Sequence, residues 1–68
     1  MSSDEDNEGQ GSYIVEYVTM GKSVKVSAID PATGREVSIV GTVKASRKHL
    51  SSLAIRKLQY VLDRDKSE

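Results

Sequence analysis

The chain contains no cysteine, which excludes disulfides, a thiolate nucleophile and metal centres built on sulfur. Its single histidine, His49, excludes a multi-histidine metal site within one chain. No apolar run approaches the ~18 residues that a membrane-spanning helix needs. The start is acidic where a secretory leader would be basic and then apolar, so the expectation is a cytoplasmic protein with no membrane partner. At 68 residues and 7.4 kDa there is room for one small folded unit. A chain of that size buries only roughly 60% of the surface it exposes when unfolded, so its core is thin.

Formal net charge is zero, but the charges are sorted along the chain. Residues 1–11 hold Asp4, Glu5, Asp6 and Glu8 and no base, whereas residues 12–68 hold 10 bases against 6 acids. With almost no apolar side chains, residues 1–11 are expected to form a disordered acidic tail. Residues 12–63 make the single domain, and the charged stub at 64–68 is expected to fray.

Within the domain, YIVEYVTM at 13–20 is rich in β-branched and aromatic side chains and stops at Gly21. KSVKVSAI at 22–29 alternates apolar and polar positions, and so does EVSIVGTV at 36–43. Between them DPATG has a turn's chemistry: Pro31 with φ preset, Asp30 as an acceptor for backbone N–H groups, and Gly34 for a left-handed position. A two-residue turn at Gly21–Lys22 with glycine first is of type II′. The two turns then set the register independently. Tyr17 falls opposite Val26 and Val15 opposite Ala28, while Val26 falls opposite Ile39 and Ala28 opposite Val37. Both agree on one inner face, made of Tyr13, Val15 and Tyr17, of Val24, Val26 and Ala28, and of Val37, Ile39 and Val43. A slip of one residue would swap the faces.

Residues 46–62 supply a helix for that face. Leu50, Leu53, Ala54, Leu58, Val61 and Leu62 recur at three- and four-residue spacing, and Ser46 suits the N-cap. The expected fold is α+β: a three-stranded antiparallel meander packed against one C-terminal helix, in the order β-β-β-α.

Such a unit has more apolar surface than one core uses. The apolar arc of the helix, ending at Tyr60 on one side and Ile55 on the other, spans about 220°, against the ~100° that a one-sided helix needs. The outer sheet face carries Ile14, Val18, Met20, Ile29 and Val40 among polar neighbours. These seven are either ordinary scattered surface hydrophobes or the interface of a homodimer or another protein partner.

A second surface is charged. Lys44, Arg47, Lys48, Arg56 and Lys57 share residues 44–57 with His49 and no acid. Lys44, Arg47, Lys48 and His49 lie at the strand-to-helix junction, where free helix N–H groups also point. The stretch is either a solvated turn or a polyanion-binding patch, with nucleic acid as the partner. The acidic tail either screens it or acts only as a solubilising tail.

The run GTVKASRKHLSSLAIRKL at 41–58 resembles the end of a double-stranded-RNA-binding domain. Ser46, Arg47 and Lys48 match the Ser-Lys-Lys that opens that family's final helix, and Ala54 and Ile55 fall on its apolar helix positions. The resemblance implies a basic pair gripping phosphates across the major groove. Leu50 stands where the family has Ala, and Ser51 where it has a third Lys. The family's first helix has no counterpart here, and MGKS at 20–23 lacks its His and Pro. As a whole, Tyr13 to Tyr60, with YIVEY, VKVSAIDPATG and EVSIVG, is similar to a family of small uncharacterised alphaproteobacterial proteins. That resemblance implies no activity and a free-standing bacterial protein.

Catalytic constellations are missing. His49 and a carboxylate such as Asp63 would sit about four helical turns apart, and Glu16, Asp30 and Glu36 form no acid–base pair. TMGKS at 19–23 lacks the preceding glycine and following helix of a phosphate-binding loop, and no enclosed ligand pocket is expected. Tyr13 and Tyr17 are read as core rather than as a base-stacking platform. The expectation is a non-enzymatic interaction module without cofactor, and polyanion binding is the alternative.

Overall fold

The computed structural model describes residues 13–67. The expected acidic tail therefore lies outside the described residues. Strands β1 (Ile14–Met20), β2 (Ser23–Asp30) and β3 (Arg35–Thr42) form one antiparallel sheet in the order β1-β2-β3, and helix α1 (Arg47–Ser67) follows. This is the α+β meander with one C-terminal helix that the alternation and the helical stripe predict.

Both turns set the register expected of them. Tyr17 pairs with Val26 and Val15 with Ala28, and Val26 pairs with Ile39 and Ala28 with Val37. Gly21 has φ of 63° and, among the described residues, none other than glycine has positive φ, which is the type II′ pattern at Gly21–Lys22. In the second turn the Asp30 carbonyl accepts from Thr33 N–H at 3.2 Å and Gly34 N–H at 2.7 Å. The Asp30 carboxylate accepts from Ala32 N–H at 3.0 Å and from the Thr33 hydroxyl at 3.1 Å. Gly34, at φ of 80°, then returns the chain into β3.

The core is the contact between the central strand and one stripe of the helix. Val24, Val26 and Ala28 of β2 are buried beneath Leu50, Ala54 and Leu58. Tyr13, Val15 and Tyr17 flank it from β1, and Val37 and Ile39 from β3, all half-buried. The helix lies over β2 and β3, which leaves β1 nearer the rim.

Three expectations are corrected. Val43 is not a core residue: it is 46% exposed, because the chain leaves the sheet after Thr42. There the Ala45 N–H donates to the Thr42 carbonyl at 3.0 Å, and the Lys44 N–H to Thr42 Oγ1 at 3.2 Å. Leu53 is not a core residue either: at 37% exposed it lies on a flank of the helix rather than on the stripe that meets the sheet. The helix also runs through 64–67, where the charged composition suggested fraying. Arg64 and Lys66 complement the C-terminal dipole, and Asp65 pairs with Arg35 at 3.0 Å.

Candidate interaction surfaces

The strand-to-helix junction is built by caps and one long-range bond. Ser46 Oγ accepts from the His49 N–H at 3.0 Å, and the Ser46 carbonyl accepts from the Leu50 N–H at 3.0 Å, so Ser46 is the N-cap. The Val43 N–H donates to the Lys22 carbonyl at 3.0 Å. That bond ties the first turn to the loop before the helix and brings Lys22 to the end of the sheet that carries Lys44, Arg47 and Lys48. Lys22 belongs to this cationic end although it stands over twenty positions upstream, because the strand register sets it opposite Val43. No acid occurs between Glu16 and Asp30, or between Glu36 and Asp63. Asp30, Glu36, Asp63 and Asp65 gather at the opposite end, where Arg35, Arg64 and Lys66 offset most of their charge.

Of the remaining basic candidates, His49 stands at the cationic end, and Arg56 and Lys57 do not. Arg56 lies nine residues beyond Arg47, about 13 Å along the helix. Lys57 turns to the edge of the sheet, where Nζ donates to the Ser38 carbonyl at 2.9 Å. His49 is exposed on the first helical turn. The Arg47 guanidinium lies over the Tyr17 ring, 4.6 Å from its centroid. Tyr17 Oη hydrogen-bonds Ser51 Oγ, and Ser51 Oγ donates to the Arg47 carbonyl at 2.8 Å. Tyr17 thus fastens β1 to the first turns of the helix, and its face is occupied by a cation rather than open to a base.

The apolar candidates separate by exposure. On the outer sheet face Ile14, Val18, Met20 and Val40 are 46%, 54%, 49% and 67% exposed. Ile29 is opposite Ile14 on the same face but half-buried. Ser27, in the row of Glu16 and Ser38, is buried at the middle of that face, which its polarity did not suggest. Ile55 is corrected: it packs half-buried against the core instead of standing free. Tyr60 is 66% exposed, with the Arg64 guanidinium 5.8 Å from its ring centroid. Leu53, one heptad before Tyr60, continues the same exposed strip and was missed because it fitted the core stripe.

At the acidic end an open groove of about 870 Å³ runs between Tyr13 and Leu62, with Arg35, Gln59, Asp65 and Lys66 around it. It has a ligand pocket's volume, but it is a surface groove rather than an enclosed cavity, and Arg35 and Asp65 satisfy each other across it. Among the described residues there is no group of three or more His, Asp or Glu side chains able to hold a metal ion. No helix among them is long and apolar enough to cross a membrane.

Strand order, register and the single covering helix define a small β-β-β-α domain with one open sheet face. The chain belongs to the DUF6898 family: the model of this domain of unknown function matches residues 10–65, spanning all three strands and most of the helix. No curated protein and no solved structure matches it.

Proposed function

We propose that the chain is a non-enzymatic interaction module that self-associates through the open side of its sheet. The observation that carries this reading is the exposure of Ile14, Val18, Met20 and Val40 on a sheet face that no element among the described residues covers. Covering apolar surface stabilises an association by roughly 25 cal/mol per Å² before the cost of lost freedom, and patches of this kind mark protein contacts. A single histidine and no cysteine suit a binding role better than a catalytic one. The resemblance of Tyr13–Tyr60 to alphaproteobacterial proteins fits a bacterial protein.

A second reading is favoured by one specific contact. The Val43–Lys22 bond adds Lys22 to Lys44, Arg47 and Lys48 and makes a cationic end suited to a polyanion. The likeness of residues 41–58 to the end of a double-stranded-RNA-binding domain supports nucleic acid as that polyanion. It supplies one phosphate patch, whereas such domains span two minor grooves.

One amide NMR experiment separates the two. Serial dilution of the full chain is expected to shift the amides of the outer face around Val18, Lys25 and Val40. A pool of short RNA and DNA duplexes at low salt is expected to leave Lys22 and residues 44–48 unmoved. The absence of any concentration-dependent shift on the outer face overturns the self-association reading. Duplex-dependent shifts at the cationic end that vanish with added salt establish the second.

A further inference from the structure

We infer that β1 is a self-pairing edge: a second copy of the chain docks antiparallel along it, about a two-fold axis at Tyr17, and extends the sheet to six strands. The inference rests on the chain self-associating through its sheet and goes further by fixing the strand that meets the partner and the register; it brings Ile14 and Met20 to the seam and leaves Val40 open.

The direction of the backbone groups carries it. The Gly21–Lys22 turn closes on Met20 opposite Ser23, and the pair that closes a two-residue turn exchanges hydrogen bonds. Counting along the ladder by twos, Val18, Glu16 and Ile14 also direct N–H and C=O towards β2. Val15, Tyr17 and Thr19 therefore direct theirs away from the sheet. The same count carried across β2 turns the backbone groups of Glu36, Ser38, Val40 and Thr42 outward on the far edge. The Lys57–Ser38 bond verifies the count, because the Ser38 carbonyl has to face outward to accept it.

The two edges are not alike. β3 is guarded by that lysine, a usual device against edge pairing. β1 pairs with β2 along all seven residues without a bulge, and it contains neither Pro nor Lys. With Tyr17 on the axis, Tyr17 faces its own copy and Val15 faces the partner's Thr19. All three residues are outward-directed, so each pair exchanges two hydrogen bonds. A register shifted by one residue would oppose groups already committed to β2.

The side chains and the charges suit the same register. Ile14 falls opposite the partner's Met20 in a non-hydrogen-bonded pair, where side chains approach most closely. Glu16 falls in the row of the partner's Val18 and Lys25, which sets opposite charges on one face. At the inner seam, half-buried Tyr13 and Val15 gain cover beyond what the helix, seated over β2 and β3, gives them. The antiparallel arrangement also keeps the two cationic ends apart, whereas a parallel one would set them together.

Hydrogen exchange on the full chain tests the pairing directly. At low concentration the amides of Val15, Tyr17 and Thr19 are expected to exchange as an open edge, while Glu16 and Val18 are protected. At high concentration the odd-numbered amides are expected to become protected too. The lack of cysteine allows a second test. Ile14→Cys chains mixed with Met20→Cys chains are expected to form a disulfide dimer on mild oxidation. Neither chain alone should do so, because like positions sit about 20 Å apart along the seam. Both sites are half-exposed, and an unchanged amide spectrum checks folding. Unchanged exchange at Val15, Tyr17 and Thr19, or cross-linking as efficient in one chain alone as in the mixture, overturns the pairing. Outer-face shifts on dilution without the mixed cross-link overturn the pairing and leave the self-associating module standing.

Discussion

Leu50 fills the space that a side chain at position 41 would need: a β-carbon on Gly41 would lie 2.6 Å from Leu50 Cδ2 and 3.3 Å from Cδ1. Glycine ordinarily weakens a strand interior. Here it lets the first turn of the helix sit down on β3, with Leu50 reaching across to Val24 and Val26 of the core. Gly41→Val gains strand propensity but has to displace a buried leucine, and overpacking of this kind costs about 1–3 kcal/mol. Gly41→Ala should cost less, because the nearest atom is the rotatable end of Leu50. Urea unfolding midpoints of the two variants check this; a Gly41→Val chain as stable as the parent would place Leu50 elsewhere.

Leu58 and Tyr60 stand two residues apart on the helix and should behave oppositely. Leu58 is fully buried and Tyr60 is 66% exposed. Leu58→Ala removes core volume that a thin sheet cannot refill, at about 2–5 kcal/mol, a large part of the ~5–15 kcal/mol that holds a native domain together. Tyr60→Ala should stay within about 0.5 kcal/mol. Thermal melts followed by circular dichroism should show Leu58→Ala partly unfolded at ambient temperature and Tyr60→Ala close to the parent. Equal losses would mean that the helix is seated on a different face.

Much of this arrangement was legible in the sequence, because short turns between alternating strands leave little freedom. Gly21–Lys22 and DPATG each fix a register, and a shift of either would have put Val26 or Ile39 into water. Val43 and Leu53 were misread for a shared reason. Periodicity reports which side a residue faces but not how far its partner element extends. The sheet ends at Thr42, where Thr42 Oγ1 takes the Lys44 N–H, and Leu53 lies on a helix flank that the sheet does not bury. The cationic end was legible only in part. Lys44, Arg47 and Lys48 are near neighbours in sequence, while Lys22 joins them through the strand register, which no short window of sequence shows. The guarded edge was invisible for the same reason, since the Lys57–Ser38 contact depends on where the helix lies across the sheet.

The cap at Ser46 carries a helix start that is otherwise unfavourable. Arg47 and Lys48 occupy the first turn with no acid there, against the helix dipole. Ser46 Oγ meets one of the free N–H groups, that of His49. Ser46→Ala is expected to cost about 0.5–2 kcal/mol. Ser46→Asp keeps the acceptor and adds a favourable charge, so it should match or exceed the parent. Helicity and urea midpoints measured together decide the point: a Ser46→Ala chain indistinguishable from the parent would show that tertiary packing alone sets the helix start.

Tyr17 ties the rim strand to the helix by two separable contacts, its hydroxyl with Ser51 and its ring beneath Arg47. Because Ser51 Oγ donates to the Arg47 carbonyl, the Tyr17 hydroxyl is the donor in the other bond. Tyr17→Phe removes that bond and keeps the ring, for an expected loss of about 0.5–1.5 kcal/mol. Arg47→Ala removes the cation and keeps the hydroxyl bond, for about 0.5–1 kcal/mol at an exposed site. The two contacts share one ring, so the double variant should lose less than the sum if Arg47 helps to hold the ring in place for Ser51, and the sum itself if they act separately. A double-mutant cycle in urea measures the coupling. The hydroxyl contact predicts one further difference: Tyr17→Phe should add nothing to the loss already caused by Ser51→Ala, because the partner that the phenol bonds to is then gone. Additive losses from Tyr17→Phe and Ser51→Ala would show that the phenol finds another acceptor and that β1 is held to the helix by packing alone.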